Sequence, residues 1–347
     1  MTESPGDTSF RDKILAFYKG ADTESLLARA RELCLARHGT GVLLRGLIEY
    51  SNICSCDCLY CGIRASNKNV SRYRLGPERI AAIASAGYRA GLRSFVIQGG
   101  EDRAFAEREL PRAVEMIRRD CPDAAITLSA GILPRESYAR LRHSGADRYL
   151  LRFETSDPEL HRKLRAGVSL GRRLEALGDL ASLGYQLGSG YMVGLPGESE
   201  ETRITNALLC YDLELDMVGI GPFIPHPDTP LAGSPQSPIE LALRATSLVR
   251  LLLPDAHMPA TTAAGSLDPA GREKMIEAGA NVLMPNITPP EAKRNYLLYP
   301  GKICLTEEGE KCIGCLGLRM RSVGRELSFL RGDALRLERA AAEAVRA

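Results

Sequence analysis

The sequence predicts an α/β protein built on a (β/α)8 barrel of the TIM type, with a helical extension before it and a cysteine-bearing segment after it. Three observations predict this. Short apolar runs alternate with amphipathic segments of helical period along most of the chain. Eight such runs are found, the number that closes a parallel barrel. The residues just after the runs are polar or glycine-rich, as suits loops gathered at the C-terminal mouth, where such barrels build their active sites. An open doubly wound sheet is the rival arrangement for the same alternation.

Residues 10–38 read as helix, through ILAFY and SLLARARELCLA, until His38, Gly39 and Gly41 end the pattern. The expected strands are 42–50, 94–98, 125–129, 148–153, 187–194, 215–221, 257–262 and 281–285. Between them lie segments such as PERIAAIASAGYRAG and PRESYARLRHSGA, amphipathic and closed by glycine. The tail 325–347 reads as a helix over one end of the barrel. The chain thus divides into an extension, 1–41, a barrel, 42–295, and a C-terminal segment with a terminal helix, 296–347.

Lys plus Arg number 45 against 43 Asp plus Glu, with no block of like charge, so neither nucleic acid nor an anionic membrane is an expected partner. No apolar stretch approaches the roughly 20 residues of a membrane span, and no basic-then-apolar leader opens the sequence. The expected compartment is the cytoplasm. Thiols stay reduced there, so ten cysteines suggest metal rather than disulfides.

Cys54, Cys58 and Cys61 form C-x3-C-x2-C directly after the first strand. Three thiolates on one loop suit a 4Fe-4S cluster whose fourth iron is open to a small molecule. Structural zinc is the alternative, but it usually recruits a second cysteine or histidine pair, and the closest histidine is His38. Cys56 falls outside the spacing and reads as a small loop residue. Cys304, Cys312 and Cys315 form a second group, C-x7-C-x2-C, suited to a 2Fe-2S or 4Fe-4S cluster or to zinc. Cys34, Cys121 and Cys210 lie on helical segments and read as small buried apolar residues.

Other strand ends carry polar chemistry. Gly99 and Gly100 in IQGGED expose backbone to close approach, although a tight turn would look the same. Arg152 and Glu154 stand at the end of an apolar strand, where buried charges need a ligand or each other. Thr261 and Thr262 offer hydroxyls to an anion, or pack as β-branched strand residues. His226, between prolines, reads as structural.

The C-x3-C-x-aromatic-C pattern resembles the radical S-adenosylmethionine (SAM) signature. From about residue 40 to about 315, IEYSNICSCDCLYCGIRASNKNVSRYRL, VIQGGED, GADRYLLRFET, LHRKL, YMVGLPGE, DMVGIGPFIPHPDTPLA, PATTAAG, GANVLMPN and YLLYPGKIC resemble the HydE family, radical SAM maturases of di-iron (FeFe) hydrogenases. Biotin synthase and methylornithine synthase belong to the wider group.

The resemblance implies a 4Fe-4S cluster on Cys54, Cys58 and Cys61 with Tyr60 beside it, and SAM as cofactor. It gives Gly99, Gly100 and Glu101 to the SAM amino group, Glu154 to the ribose, Arg173 to the carboxylate and Ser129 to a further polar contact. It places Arg152, Tyr296 and Tyr299 in the cavity, small anions near Thr261 and Thr262, and a dispensable auxiliary 2Fe-2S or 4Fe-4S cluster on Cys304, Cys312 and Cys315. It further implies an electron from reduced flavodoxin or ferredoxin, and a 5′-deoxyadenosyl radical acting on a cysteine-bound iron carbonyl cyanide complex. That complex would come from the partner maturase HydG, with HydF acting in the same assembly of the hydrogenase active-site (H-cluster) di-iron subcluster. A radical SAM mutase or sulfur-insertion enzyme acting on a small amino-acid-like substrate is the alternative, and a metal-bearing binding protein without turnover is a different class. Phe153 stands where family members have His, and Ile132 where some have Glu; both bear on the substrate rather than on SAM cleavage.

Overall fold

The computed structural model describes residues 8–165, 167–306 and 309–339. The expected helix 10–38 is two helices, α1 (Thr8–Gly20) and α2 (Thr23–His38). Gly20 closes the first, and Asp22 caps the second by accepting a hydrogen bond from Ser25 N at 2.7 Å. The run expected at 42–50 is likewise divided, into β1 (Gly41–Leu44) and β2 (Gly46–Ser51). Arg45 sits at the break, its guanidinium 2.9 Å from Met217 Sδ.

β2 begins a parallel sheet that continues in chain order through β3 (Ser94–Gly99), β4 (Ala125–Ser129), β5 (Arg148–Leu150), β6 (Gln186–Val193) and β7 (Met217–Pro222). Single bridges then carry the ring onward, Met217 to His257, Pro259 to Val282 and Leu47 to Asn286. β8 (Val282–Leu283) pairs in parallel with β1, so the sheet closes as an α/β barrel. Every residue of β2 is buried, as expected when helices cover one face of a parallel sheet and side chains fill the other. Helices Pro77–Arg89, Leu110–Asp120, Leu170–Ser182, Glu200–Asp212 and Ile239–Leu252 lay apolar stripes on it, for example Ile80 with Ala84 and Leu177 with Leu180.

Four expectations need correction. Residues 257–262 make isolated bridges rather than a strand, because Pro259 has no N–H to donate and the chain turns at Thr261 into the helix Thr262–Leu267. β5 stops at Leu150 instead of 153; the chain still follows β6, through Leu151 N to Gly188 O and Glu154 N to Gly190 O, but Glu154 takes a left-handed φ of 70° that ends regular pairing. The run 281–285 keeps only two strand residues. The tail is not one helix: β9 (Glu326–Ser328) pairs in parallel with β1, and helix occupies 335–339 among the described residues. Between them the chain is anchored by polar contacts instead. Buried Arg148 donates to Arg331 O at 2.9 Å, Gly332 O at 2.6 Å and Asp333 at 3.0 Å, and within the helix that follows Arg336 grips Asp216 with two bonds. Among the described residues no helix is long and apolar enough to cross a membrane.

Candidate active site

The cysteine loop leaves β2 at the C-terminal mouth of the barrel. Cys54, Cys56, Cys58 and Cys61 all line one cavity of about 210 Å³. The loop has almost no regular structure, so its carbonyls need partners from elsewhere. One side chain supplies four of these: the Arg72 guanidinium donates to Asn52 O at 2.6 Å, Ile63 O at 2.7 Å, Arg64 O at 2.6 Å and Asn67 O at 3.2 Å. Asp57 pairs with Arg64 and accepts from Ser66 N at 3.0 Å. Ser55 N donates to Glu101 O at 3.0 Å, and Leu59 N to Leu164 O at 2.9 Å. Arg72→Met is therefore expected to cost on the order of 3 kcal/mol, several half-buried carbonyls losing their donor at once. Lower iron retention and a lower thermal midpoint than in Arg72→Lys are the readings that check it.

Cys56 is within hydrogen-bonding reach of both Cys54 and Cys58. With one proton to give to either neighbour, Cys56 lowers Cys54 and takes Cys58 down to about 6, helped there by Arg165 against the effect of burial. The same bonds push the Cys56 thiol upward, and burial pushes Cys61 upward. Among the described residues no three His, Cys, Asp or Glu side chains converge on a single metal ion; the cysteines form a wall rather than a closed tetrahedron. Two features fit such a wall to an iron–sulfur cluster. Glu101 N donates to Cys54 Sγ at 3.3 Å. Gly100 lets the β3 turn press on the loop, since a Cβ there would lie 2.3 Å from Ile53 O and 2.8 Å from Cys54 Cβ.

Glu101 is the hub of the charged wall. Its Oε1 accepts from Arg173 at 2.9 Å and Arg165 at 3.0 Å, and its Oε2 from Ile132 N at 3.3 Å. Burial works to raise this carboxyl, but Arg173 and then Arg165 outweigh it and hold it at about 2. Gly131, at φ 79°, makes room: a Cβ there would be 2.2 Å from Glu101 Cγ. Arg165 also donates to Tyr60 OH at 2.9 Å, and Arg173 to Arg152 O at 2.5 Å. Arg152 Nη2 lies 3.0 Å from Glu154 Oε2, yet the two are not aligned as a hydrogen bond. Both atoms, with Arg152 Nε, are buried and lack a hydrogen-bond partner, although their residues line the cavity.

Of the residues expected from sequence, Tyr60, Gly99, Gly100, Glu101, Arg152, Glu154, Tyr296 and Tyr299 line this cavity with the cysteines. Arg173 stands behind Glu101, and Ser129 ends β4 paired with Gln98. Thr261 caps the helix that Thr262 begins, accepting from Ala264 N, and Ala263 is the neighbour that reaches the cavity wall. His226 packs against Gly62 and accepts from Asp228 N at 3.1 Å. The two departures find plain places. Ile132 meets Glu101 through its backbone, and Phe153 is fully buried in a stack with Tyr191, ring centres 5.9 Å apart. Arg165 and Arg72 were not anticipated; the only sequence signal for Arg165 is its place four residues after His161, closing the basic run HRKLR.

The second cysteine group lies around the helix Gly309–Arg321. Cys304 takes a left-handed φ of 62° and sits 4.0 Å from Arg272 Nη1; Cys312 is buried and Cys315 exposed. Arg319, raised first by its bond to Glu273, also feels Cys315 and Cys304.

A parallel α/β barrel with a cysteine loop after its first strand and a glycine-lined turn beside it defines a radical SAM enzyme, and the Radical SAM superfamily description matches residues 48–209. The FeFe hydrogenase maturase subunit HydE of Thermotoga maritima is 45% identical over 303 residues, 87% of this chain and 86% of that protein. The 3-methylornithine synthase of Methanosarcina barkeri is 29% identical over 285 residues, 81% of this chain and 79% of that protein. The crystal structure of methylornithine synthase (PylB) superposes with a TM-score of 0.80 at 25% identity, covering 94% of this chain and 97% of that one. The chain belongs to the HydE family of FeFe hydrogenase maturases.

Proposed function

We propose that this radical SAM maturase holds a 4Fe-4S cluster on Cys54, Cys58 and Cys61 and generates a 5′-deoxyadenosyl radical in the cavity beside it, for assembly of the hydrogenase di-iron subcluster. The observation that carries the reading is the set of buried Arg152 and Glu154 atoms that lack a hydrogen-bond partner, on residues lining the same cavity as the cysteines. When bound, the cluster supplies the electron that splits the sulfur–C5′ bond of SAM. The chain's part is to bind and orient. Backbone at Gly99 and Gly100, with Glu101, receives the SAM ammonium; Arg173 turns toward the carboxylate; Glu154 accepts from the ribose hydroxyls, with Ser129 as a further polar contact. Tyr60, Tyr296 and Tyr299 close the nucleoside side and keep water out.

Arg152 faces Glu154 without an aligned hydrogen bond and its Nε has no acceptor, so it could turn donors to an anionic group, which suits a cysteine-bound iron carbonyl cyanide complex as substrate, with Thr261 and Thr262 at the edge of the anion's site. HydG would deliver that complex and HydF would work downstream, with reduced flavodoxin or ferredoxin as electron donor in the cytoplasm. We assign residues 1–41, 42–295 and 296–347 to extension, barrel and C-terminal segment. Anaerobic, reduced enzyme is expected to convert SAM to methionine and 5′-deoxyadenosine, and to activate apo-hydrogenase together with its partner maturases. Cleavage without activation, accompanied by rearrangement of an amino acid, would instead favour the mutase reading that the methylornithine synthase relatives suggest.

Cys304, Cys312 and Cys315 are assigned an auxiliary 2Fe-2S or 4Fe-4S cluster. Replacing all three by Ala is expected to remove one cluster's iron and keep deoxyadenosine formation, because none of them lines the cavity among the described residues. A folded triple variant that cannot cleave SAM would show that this group is not peripheral.

A further inference from the structure

One wall of the cavity has no regular secondary structure. Residues 296–304 run as turns and irregular chain, yet Tyr296, Leu298 and Tyr299 line the cavity. Such a wall keeps its shape only through bonds to the elements behind it. Lys302 makes two of them: its Nζ is 2.5 Å from Glu49 Oε1 and donates to Tyr296 O at 2.9 Å. Both side chains of the ion pair are buried, 7% and 2% exposed. The other Glu49 oxygen accepts from Asn286 Nδ2 at 2.9 Å, which fixes the carboxylate in place. The ammonium also stands 5.1 Å from the Tyr296 ring centre. Tyr296 OH in turn accepts from Gln98 Nε2 at 3.2 Å, and Gln98 leads directly into Gly99 and Gly100. One lysine therefore ties together the strand that feeds the cysteine loop, the irregular wall and the turn before Glu101.

We propose that Lys302 is a positioning residue for SAM cleavage, which, through Glu49 and the Tyr296 carbonyl, sets the 296–299 wall and so decides how tightly SAM is held. The inference rests on the reading of this cavity as the SAM site. A buried ion pair is poor evidence of net stabilisation, since neutral residues of similar volume often replace one without loss. What such residues would not replace is the link from position 302 to Tyr296 O.

That difference makes the test. Lys302→Met alone leaves buried Glu49 with only Asn286 and the more distant Lys293 to offset its charge, so its thermal midpoint should fall. The double variant Glu49→Gln/Lys302→Met removes both charges. Its midpoint is expected to lie above that of Lys302→Met, short of wild type because buried Lys293 also loses the Glu49 charge, and its iron content to stay at the wild-type level, while its KM for SAM in deoxyadenosine formation rises about tenfold with kcat little changed. Lys302→Arg keeps the charge and a donor for Tyr296 O, and should return KM to within about threefold of wild type. A double variant with wild-type KM, or an arginine variant whose KM is as high as that of the double variant, overturns the proposal. Wild-type enzyme that retains iron but cleaves no SAM overturns the reading of the cavity instead.

Discussion

Cys58→Ala is expected to reduce SAM cleavage to background. Cys58 is buried in the loop wall, 7% exposed, and its thiol is drawn down to about 6 by the bond from Cys56, with Arg165 adding to it. It is thus held ready as a thiolate, the form that ligates iron. Removing it leaves Cys54 and Cys61, too few to fill the three-thiolate set on which a cluster with one open iron depends. Iron content and visible absorbance after anaerobic reconstitution should both collapse, and deoxyadenosine should be undetectable. Cys56→Ala provides the contrast. Cys56 stands outside the C-x3-C-x2-C spacing and has one thiol proton to give to either neighbour, which is a supporting part and not a ligand's. That variant should keep a reducible cluster whose electron paramagnetic resonance signal changes when SAM is added. If the change is lost in Cys56→Ala and kept in Cys58→Ala, the ligand set has been assigned the wrong way round.

The order of the barrel strands was legible because each is a short apolar run ended by a polar turn, a pattern local enough to read one element at a time. Where runs differ from the expected strands, local geometry decides: Pro259 cannot donate to a ladder, and past Leu150 the chain keeps only scattered bonds to β6 before the left-handed Glu154 turns it away. The tail departs from the expected helix because its helical composition competes with anchors about 120 to 185 positions away, such as Asp216 and Arg148, that no local pattern reveals. The site divides in the same way. Cysteines announce themselves by spacing, and so does the glycine pair. Arg173 alone would pass for a solvated helix residue, yet it is 5% exposed because Glu101 draws it inward. Arg72 and Arg165 are two among many arginines until the fold shows four loop carbonyls around one and Glu101 with Tyr60 around the other. An arginine's part is set by its acceptors, and acceptors on distant segments leave no trace in spacing.

Glu101→Gln is expected to be the most damaging isosteric change in the cavity, through charge rather than shape. One carboxylate oxygen serves both Arg173 and Arg165, whose side chains are each 6% exposed. Neutralising it leaves buried Arg173 without its anion and Arg165 with only Glu154, 4.0 Å away, at a cost of about 3–5 kcal/mol, and the new amide NH2 would face a cation on one side or Ile132 N on the other. Loss of SAM turnover should accompany the loss of stability. The dependence on pH follows from the direction of the carboxyl's shift. It is held at about 2 in the folded protein against an ordinary 4.5, so the folded state binds the proton less readily than the unfolded one. Its contribution is complete above an ordinary carboxyl's range and is lost as the pH falls from about 4.5 toward 2, amounting to about 3 kcal/mol. Cluster-free wild type and Glu101→Gln, compared by urea unfolding, should differ most near pH 6 and converge as the pH approaches 3, because the wild type alone loses this term. A difference that stays constant across that range would mean that Glu101 is not ionised between its two arginines. Equal stability at pH 6 would mean that they find their anion elsewhere.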